Sequence, residues 1–210
     1  MKGDVLMVDT KRQKQKQLTR KHVIEIAIKQ FSETGITMTR TTDIAKAANV
    51  AHGTIFVHFP KQEDLLIAVI EEFGDRIVKR LQELIDSNRS LFEVLEAHIA
   101  GLAEFESFYT RLIIERRLLP ATARDTYIMI QSAISIHIAE TAEKEIKQGV
   151  IREFPIHLLF NTWLGLIHYY LTNGDLYCCS DSILKKHGHE LLRHFIKLIS
   201  IEQKYKEAEK

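Results

Sequence analysis

Pro60, Pro120 and Pro155 are the only prolines in a chain of 210 residues, and each falls where a helix-period pattern of apolar residues breaks off. Proline has no amide donor and closes helices, so the stretches between these three positions read as helical blocks with known ends. No period-2 run bounded by turn residues competes with that reading. With 45% hydrophobic residues the chain has enough apolar mass for a proper core. The expected fold class is therefore all-α, with about nine helices. The first four are expected at about Leu18 to Thr34, Thr42 to Ala48, His52 to His58 and Gln62 to Ile85. Helix five should run from about Leu91 to Phe105, opened by the capping box Ser90 and Glu93, and helix six should continue to about Leu119. Helix seven is expected from about Ala121 to Gln148, helix eight from Pro155 to Thr172 and helix nine from Ser182 to Lys204. Gly35 and Gly149 stand where the first and seventh should stop.

Charge divides the chain. Residues 1–62 hold 11 Lys or Arg against 5 Asp or Glu, a balance of +6, while the remainder holds 18 against 23, a balance of −5. A basic front end on an acidic body points to an anionic partner at the N-terminus. The polar tract KRQKQKQ, Lys11 to Gln17, reads as a mobile basic arm. Next, DIAKAANVAHGTIFVHFPKQEDLL from Asp43 to Leu66 compresses two helices into a space where neither is stable alone. Ile44, Val50 and Ile55 turn inward if these helices cross near a right angle, and Ala45 is small where they touch. Asn49 sits in the turn, where a positive φ is needed and Asn tolerates it best after Gly. That is the pattern of a helix-turn-helix.

The order of a helix ending at Gly35, then DIAKAANV, then GTIFVHF, then an acidic start to a long helix resembles the TetR family of bacterial transcriptional repressors. The match is specific from about Val23 to Leu65. The resemblance implies an N-terminal helix-turn-helix DNA-binding domain, residues 1–62, and a helical ligand-binding and dimerisation domain, residues 63–210. It also implies a homodimer that binds palindromic operator DNA and releases it when an effector enters the C-terminal domain. Helix three would enter the major groove with His52, Thr54, Val57 and His58 outward; Gly53 permits close approach, and Phe56 reaches the groove wall. Arg40, Thr41 and Lys61 would hold phosphates. Four positions depart from the family pattern: Asn49 stands where a turn glycine is usual, Ala51 lacks the usual serine cap, Phe56 lacks a tyrosine hydroxyl, and Gln62 replaces a lysine.

Helices five to eight scatter polar groups such as Tyr109 and Arg116 over apolar surface, as a pocket for a small apolar or amphipathic effector would. Tyr127, Gln131 and Trp163 are the candidate contacts. Helices eight and nine hold more apolar residues than one bundle needs to bury, and Gly165, Gly188, Leu191, Leu192 and Phe195 are the candidate dimer contacts. Cys178 and Cys179 are adjacent, which disfavours a disulfide. With His168, His187 and His189 they form the alternative of a redox or metal sensor. No catalytic motif is present, so no enzyme activity, cofactor or catalytic residue is expected. No run approaches the roughly 18 apolar residues of a membrane span, and the N-terminus lacks the apolar core of a secretory signal, so a cytoplasmic protein with no membrane partner is expected.

Overall fold

A computed structural model describes residues 2–86, 89–177 and 182–201. The helices are α1 (Lys2–Thr34), α2 (Thr41–Ala47), α3 (His52–His58), α4 (Gln62–Asp86), α5 (Leu91–Glu104), α6 (Glu106–Glu115), α7 (Ala121–Lys147), α8 (Ile156–Thr172) and α9 (Ile183–Ile199). Single 3₁₀ turns occupy Arg116–Leu118 and Gly174–Tyr177. Among the described residues no strand forms; extended pairing is limited to a bridge between Ile151 and Ser200. There the amide of Arg152 donates to the Ile199 carbonyl at 2.8 Å, tying the link before α8 to the end of α9.

The Lys11–Gln17 tract is part of α1, not a mobile arm: the helix runs unbroken from Lys2, and residues 11–17 are exposed along it. Lys, Arg and Gln are good helix formers, so an exposed polar stretch extends an already nucleated helix. The basic side chains therefore ride on a rod. Helix six stops at Glu115, earlier than expected, because the chain tightens into the 3₁₀ turn ahead of Pro120. α9 stops at Ile199, where Ser200 leaves the helix at φ −71°, ψ 153°. The Ser90–Glu93 capping box is formed at α5, with both reciprocal bonds present.

α4 is the axis of the molecule, packing on α1, α5 and α7. It lies so close to α7 that a Cβ built on Gly74 would fall inside the Ile130 side chain. Phe73 at its middle meets Phe105, Phe108 and Tyr109 with ring centroids 5.7, 5.8 and 5.3 Å away, and Phe31 of α1 stacks on Phe108 at 6.5 Å. Arg76 bonds Glu72 on its own helix and Glu25 on α1. These contacts merge the front end and the body into one contiguous core from Val23 to Ile199.

The inner face of α9 is spent within the subunit. Gly188, Leu191, Leu192 and Phe195 are buried, Phe195 lies 5.1 Å from the Trp163 ring, and a Cβ on Gly188 would meet Ile99 Cγ2 of α5 at 2.7 Å. Within the subunit this stripe meets α5, as an amphipathic helix buries its apolar side against the nearest partner. Gly165 alone of the five candidates stands open, with nothing within 4 Å of its built Cβ.

Candidate nucleic-acid interface and ligand cleft

The turn between α2 and α3 is built by hydrogen bonds. The amide of Val50 donates to the Ala45 carbonyl at 3.0 Å and that of Asn49 to Lys46 at 3.2 Å, a Schellman closure that needs a left-handed residue at position 49. Asn49 has φ 53°, the expected positive value and the only one at a non-glycine position among the described residues. Asn49→Gly is expected to be neutral or stabilising. Asn49→Val should destabilise the front end by about 1–3 kcal/mol, since a β-branched residue resists this region. Urea unfolding followed at both variants checks it, and an unchanged midpoint for the valine would refute the strain argument.

Ile55 and Phe59 anchor α3 inward, at 0% and 1% exposure, which leaves the opposite face free. On that face Phe56 and Val57 are 41% and 66% exposed, large apolar groups in solvent for which the subunit itself offers no cover. Nothing lies within 4 Å of a Cβ built on Gly53, and Thr54 is half-buried beside it. His52 is exposed, its ring edge-on to Phe56 at 5.0 Å, and its Nε2 pairs with the Thr41 hydroxyl at 3.0 Å. Thr41 is thus a buried orienter of His52 rather than a free hydroxyl, whereas Arg40 stands exposed at the α2 N-cap.

His58 is less open than expected. Its Nδ1 is buried without a partner, and burial, with Lys16 and Arg20 of α1 nearby, lowers its proton affinity. Arg20 also lies over the Phe59 ring at 4.8 Å, so the extended α1 brings cations beside the end of α3. Lys61 is exposed, with its amide bonded to Asp64 at 2.8 Å. Gln62, in place of the lysine, donates to the Thr39 carbonyl at 3.2 Å and ties the start of α4 to the loop before α2.

In the body, a cleft of about 600 Å³ opens between α7 and α8, within the range of small-molecule sites. Tyr127 and Gln131 line it as expected positions, joined by Arg116 and His168. Trp163 does not: it is fully buried and its Nε1 donates to His98 Nδ1 at 3.0 Å. A helical pattern cannot tell which way a lone tryptophan turns. The Tyr109 hydroxyl bonds His168 Nε2 at 2.7 Å and faces Gln131 Nε2 at 3.4 Å. The Arg116 guanidinium sits 5.6 Å over the Tyr127 ring.

Burial lowers the pKa of His98 to about 3, and burial followed by the nearby Arg116 charge lowers that of His168 to about 4. Both are neutral near pH 7. The unfolded chain binds protons here near pH 6.5 that the folded state refuses, so their contribution is complete above that pH and is lost on acidification. The expected loss is about 1.4 kcal/mol per pH unit for each histidine between roughly pH 6.5 and 4. Urea midpoints measured across that interval test it; a flat profile would mean that the imidazoles are solvated.

The carboxylate of Glu115, at the end of α6, reaches from the body into the front end. It accepts from the amides of Ile36 and Thr37 at 3.2 and 2.8 Å and from the Thr37 hydroxyl at 2.7 Å, holding the loop between α1 and α2. Its neighbour Arg116 lines the cleft. Cys178 and Cys179 lie outside the described residues. Among the described residues no group of three or more His, Cys, Asp or Glu is placed to hold a metal, and no helix is long and apolar enough to cross a membrane.

A seven-residue α3 with an unburied face, following α2 across a tight turn in front of a helical body, is the arrangement of a helix-turn-helix unit. Residues 23–69 match the family model described as bacterial regulatory proteins, tetR family. It is 31% identical over 138 residues to a probable acrEF/envCD operon repressor of Escherichia coli (strain K12), spanning 64% of this chain and 54% of that protein, about half its length. It is 26% identical over 186 residues to a fatty acid metabolism regulator protein of Bacillus subtilis (strain 168), covering 82% of this chain and 95% of the relative. A TetR-family regulator structure from Agrobacterium tumefaciens superposes with a TM-score of 0.74 at 16% identity, over 89% of this chain and 100% of that one, a likeness of fold.

Proposed function

We propose that the protein is a repressor that binds palindromic operator DNA as a homodimer and is released by a small apolar or amphipathic effector in its C-terminal body. The observation that carries this reading is the uncovered face of α3, where Phe56 and Val57 stand in solvent beside His52 and an unobstructed Gly53. On this reading residues 1–62 are the DNA-binding unit and residues 63–210 receive the signal. Thr54 and Val57 read base edges, with Phe56 at the groove wall; Arg40, His58 and Lys61 lie against phosphate, and Thr41 sets His52.

The side of α8 that carries Leu158 and Tyr169, 45% and 54% exposed, is part of the dimer surface on this reading. Effector binding acts by favouring the conformation that does not hold DNA, with a coupling of typically 1–3 kcal/mol. α4 and α6 carry the change, since both touch α1. Selection of bound fragments from genomic DNA would supply the operator. Against it, Thr54→Ala should relax preference at one position per half-site by about 1–3 kcal/mol, whereas Lys61→Ala should weaken all sequences alike and flatten the salt dependence. Equal losses on every sequence for Thr54→Ala would overturn the assignment of α3 as the reading helix.

A further inference from the structure

We propose that the cleft between α7 and α8 binds an anionic amphiphile, a carboxylate or phosphate head on an apolar body, with the head seated on Arg116. The inference rests on the ligand-responsive reading above and names the chemistry that the cleft selects.

Charge is the first argument. Among the described residues that line the cleft there is no Asp or Glu, and Arg116 is the one group that carries a full charge near pH 7. His168 is neutral there, its pKa lowered by burial and by Arg116 itself, and burial raises that of Tyr127. The adjacent carboxylate is not available: Glu115 is committed to the loop at Ile36 and Thr37. No carboxylate of the described residues lies within 4 Å of the Arg116 guanidinium, whereas Arg76 has two and Arg80 and Arg89 have one each. A half-buried guanidinium facing a cavity without a counter-charge is matched by an anion, and its planar fork suits carboxylate and phosphate oxygens.

Shape and polarity complete the description. Tyr127, Ser132, Ser135 and Asn161 supply hydroxyl and amide groups along the same cleft. Gln131 uses one side of its amide on Tyr109 and leaves Oε1 buried without a partner. Ile128 and Ile136 of α7 face the cleft while 55% and 58% exposed, and Phe160 and Leu164 form the opposite wall. An apolar chain laid between those walls would remove both isoleucines from water.

The test uses the full chain without DNA and reads the fluorescence of Trp163, the only tryptophan, which lies next to Leu164 of the wall. Decanoate, decyl phosphate, 1-decanol and decylammonium share one tail and differ in head. Both anions are expected to saturate the signal, and whichever binds tighter identifies the head as carboxylate or phosphate. Arg116→Met should weaken the anions at least ten-fold and leave 1-decanol unchanged, while Arg116→Lys should retain part of the affinity. Ile136→Glu, at an exposed position, should weaken the anions similarly by placing a carboxylate in the cleft, and it serves if Arg116→Met does not fold. Neutral or cationic heads that bind as tightly as decanoate, variants with unchanged anion affinity, or no binding of either anion would overturn the proposal. So would decanoate that dissociates a dimer, which would make the cleft a seat for a second copy. Operator binding is measured separately on the ligand-free protein. Operator binding without a response of Trp163 to either anion overturns this inference alone, and saturable anion binding without DNA binding overturns the regulator reading alone.

Discussion

Replacing Leu192 by Glu is expected to unfold the helical body, not to release a folded monomer. Leu192 is fully buried on the apolar face of α9, the helix that packs against α5. An unpaired charge in such a place costs more than about 4 kcal/mol, a large share of the stability of an ordinary domain. Gly188→Leu should act in the same direction by overpacking, because even a Cβ there would press on Ile99 at 2.7 Å. Urea unfolding followed by far-UV circular dichroism, with sedimentation of the soluble fraction, separates the outcomes. A stable, helical, monomeric Leu192→Glu protein would show that α9 faces a second subunit after all. Tyr169→Glu and Leu158→Glu, on the exposed side of α8, are the substitutions that should disturb assembly while leaving the fold intact.

Glu115→Ala is expected to loosen the loop between α1 and α2 and to lower operator affinity without any change in the DNA-facing residues. Three bonds end on this carboxylate, and the Ile36 amide is buried, so removing the acceptor leaves that donor without partner or water. A buried orphan donor costs about 1–3 kcal/mol, and the loss of a charged acceptor places the effect toward the upper end. Glu115→Gln keeps one accepting oxygen and should fall between the two. Gly35→Ala should mimic the loss, since residue 35 has φ 97° and its built Cβ comes within 2.9 Å of Glu115 Oε1. Amide hydrogen exchange at Ile36 and Thr37 reads the local effect, and operator affinity reads the consequence. Unchanged exchange at both amides in the alanine variant would mean that the clamp does not hold the loop. Because Arg116 follows directly in the chain and lines the cleft, this clamp is the short route by which a ligand there would reach the DNA-binding unit.

The helix-turn-helix was legible in the sequence because its determinants are local. The left-handed turn at Asn49, the inward Ile44 and Ile55 and the break at Pro60 are separated by a few residues, and helical spacing alone decides which side each faces. The recognition face follows by subtraction: once Ile55 and Phe59 point inward, Gly53, Phe56 and Val57 point out. The ends of α3, α4, α5 and α8 fell within a residue or so of expectation for the same reason, since caps and prolines act on their immediate neighbours.

Partner choice across long sequence separations was not legible. Apolar spacing marked the stripe on α9, yet whether Leu192 and Phe195 meet α5 of the same chain or a second copy depends on how the bundle closes. Nor could the spacing show that Trp163 turns to His98, 65 positions away, while Arg116, named only as one of several scattered polar residues, lines the cleft. Glu115 carried no signal at all in the sequence, where it is one acid in a mixed run, RLIIERRLL. Its role exists only because the end of α6 lies beside a loop 78 residues earlier. The sequence by itself therefore determined most helix boundaries, their punctuation and the helix-turn-helix unit, all governed by interactions within one or two turns. Tertiary structure decided which apolar stripes were consumed inside the subunit, which arginine lines the cleft and which carboxylate joins the body to the front end, because each depends on a neighbour that only packing supplies.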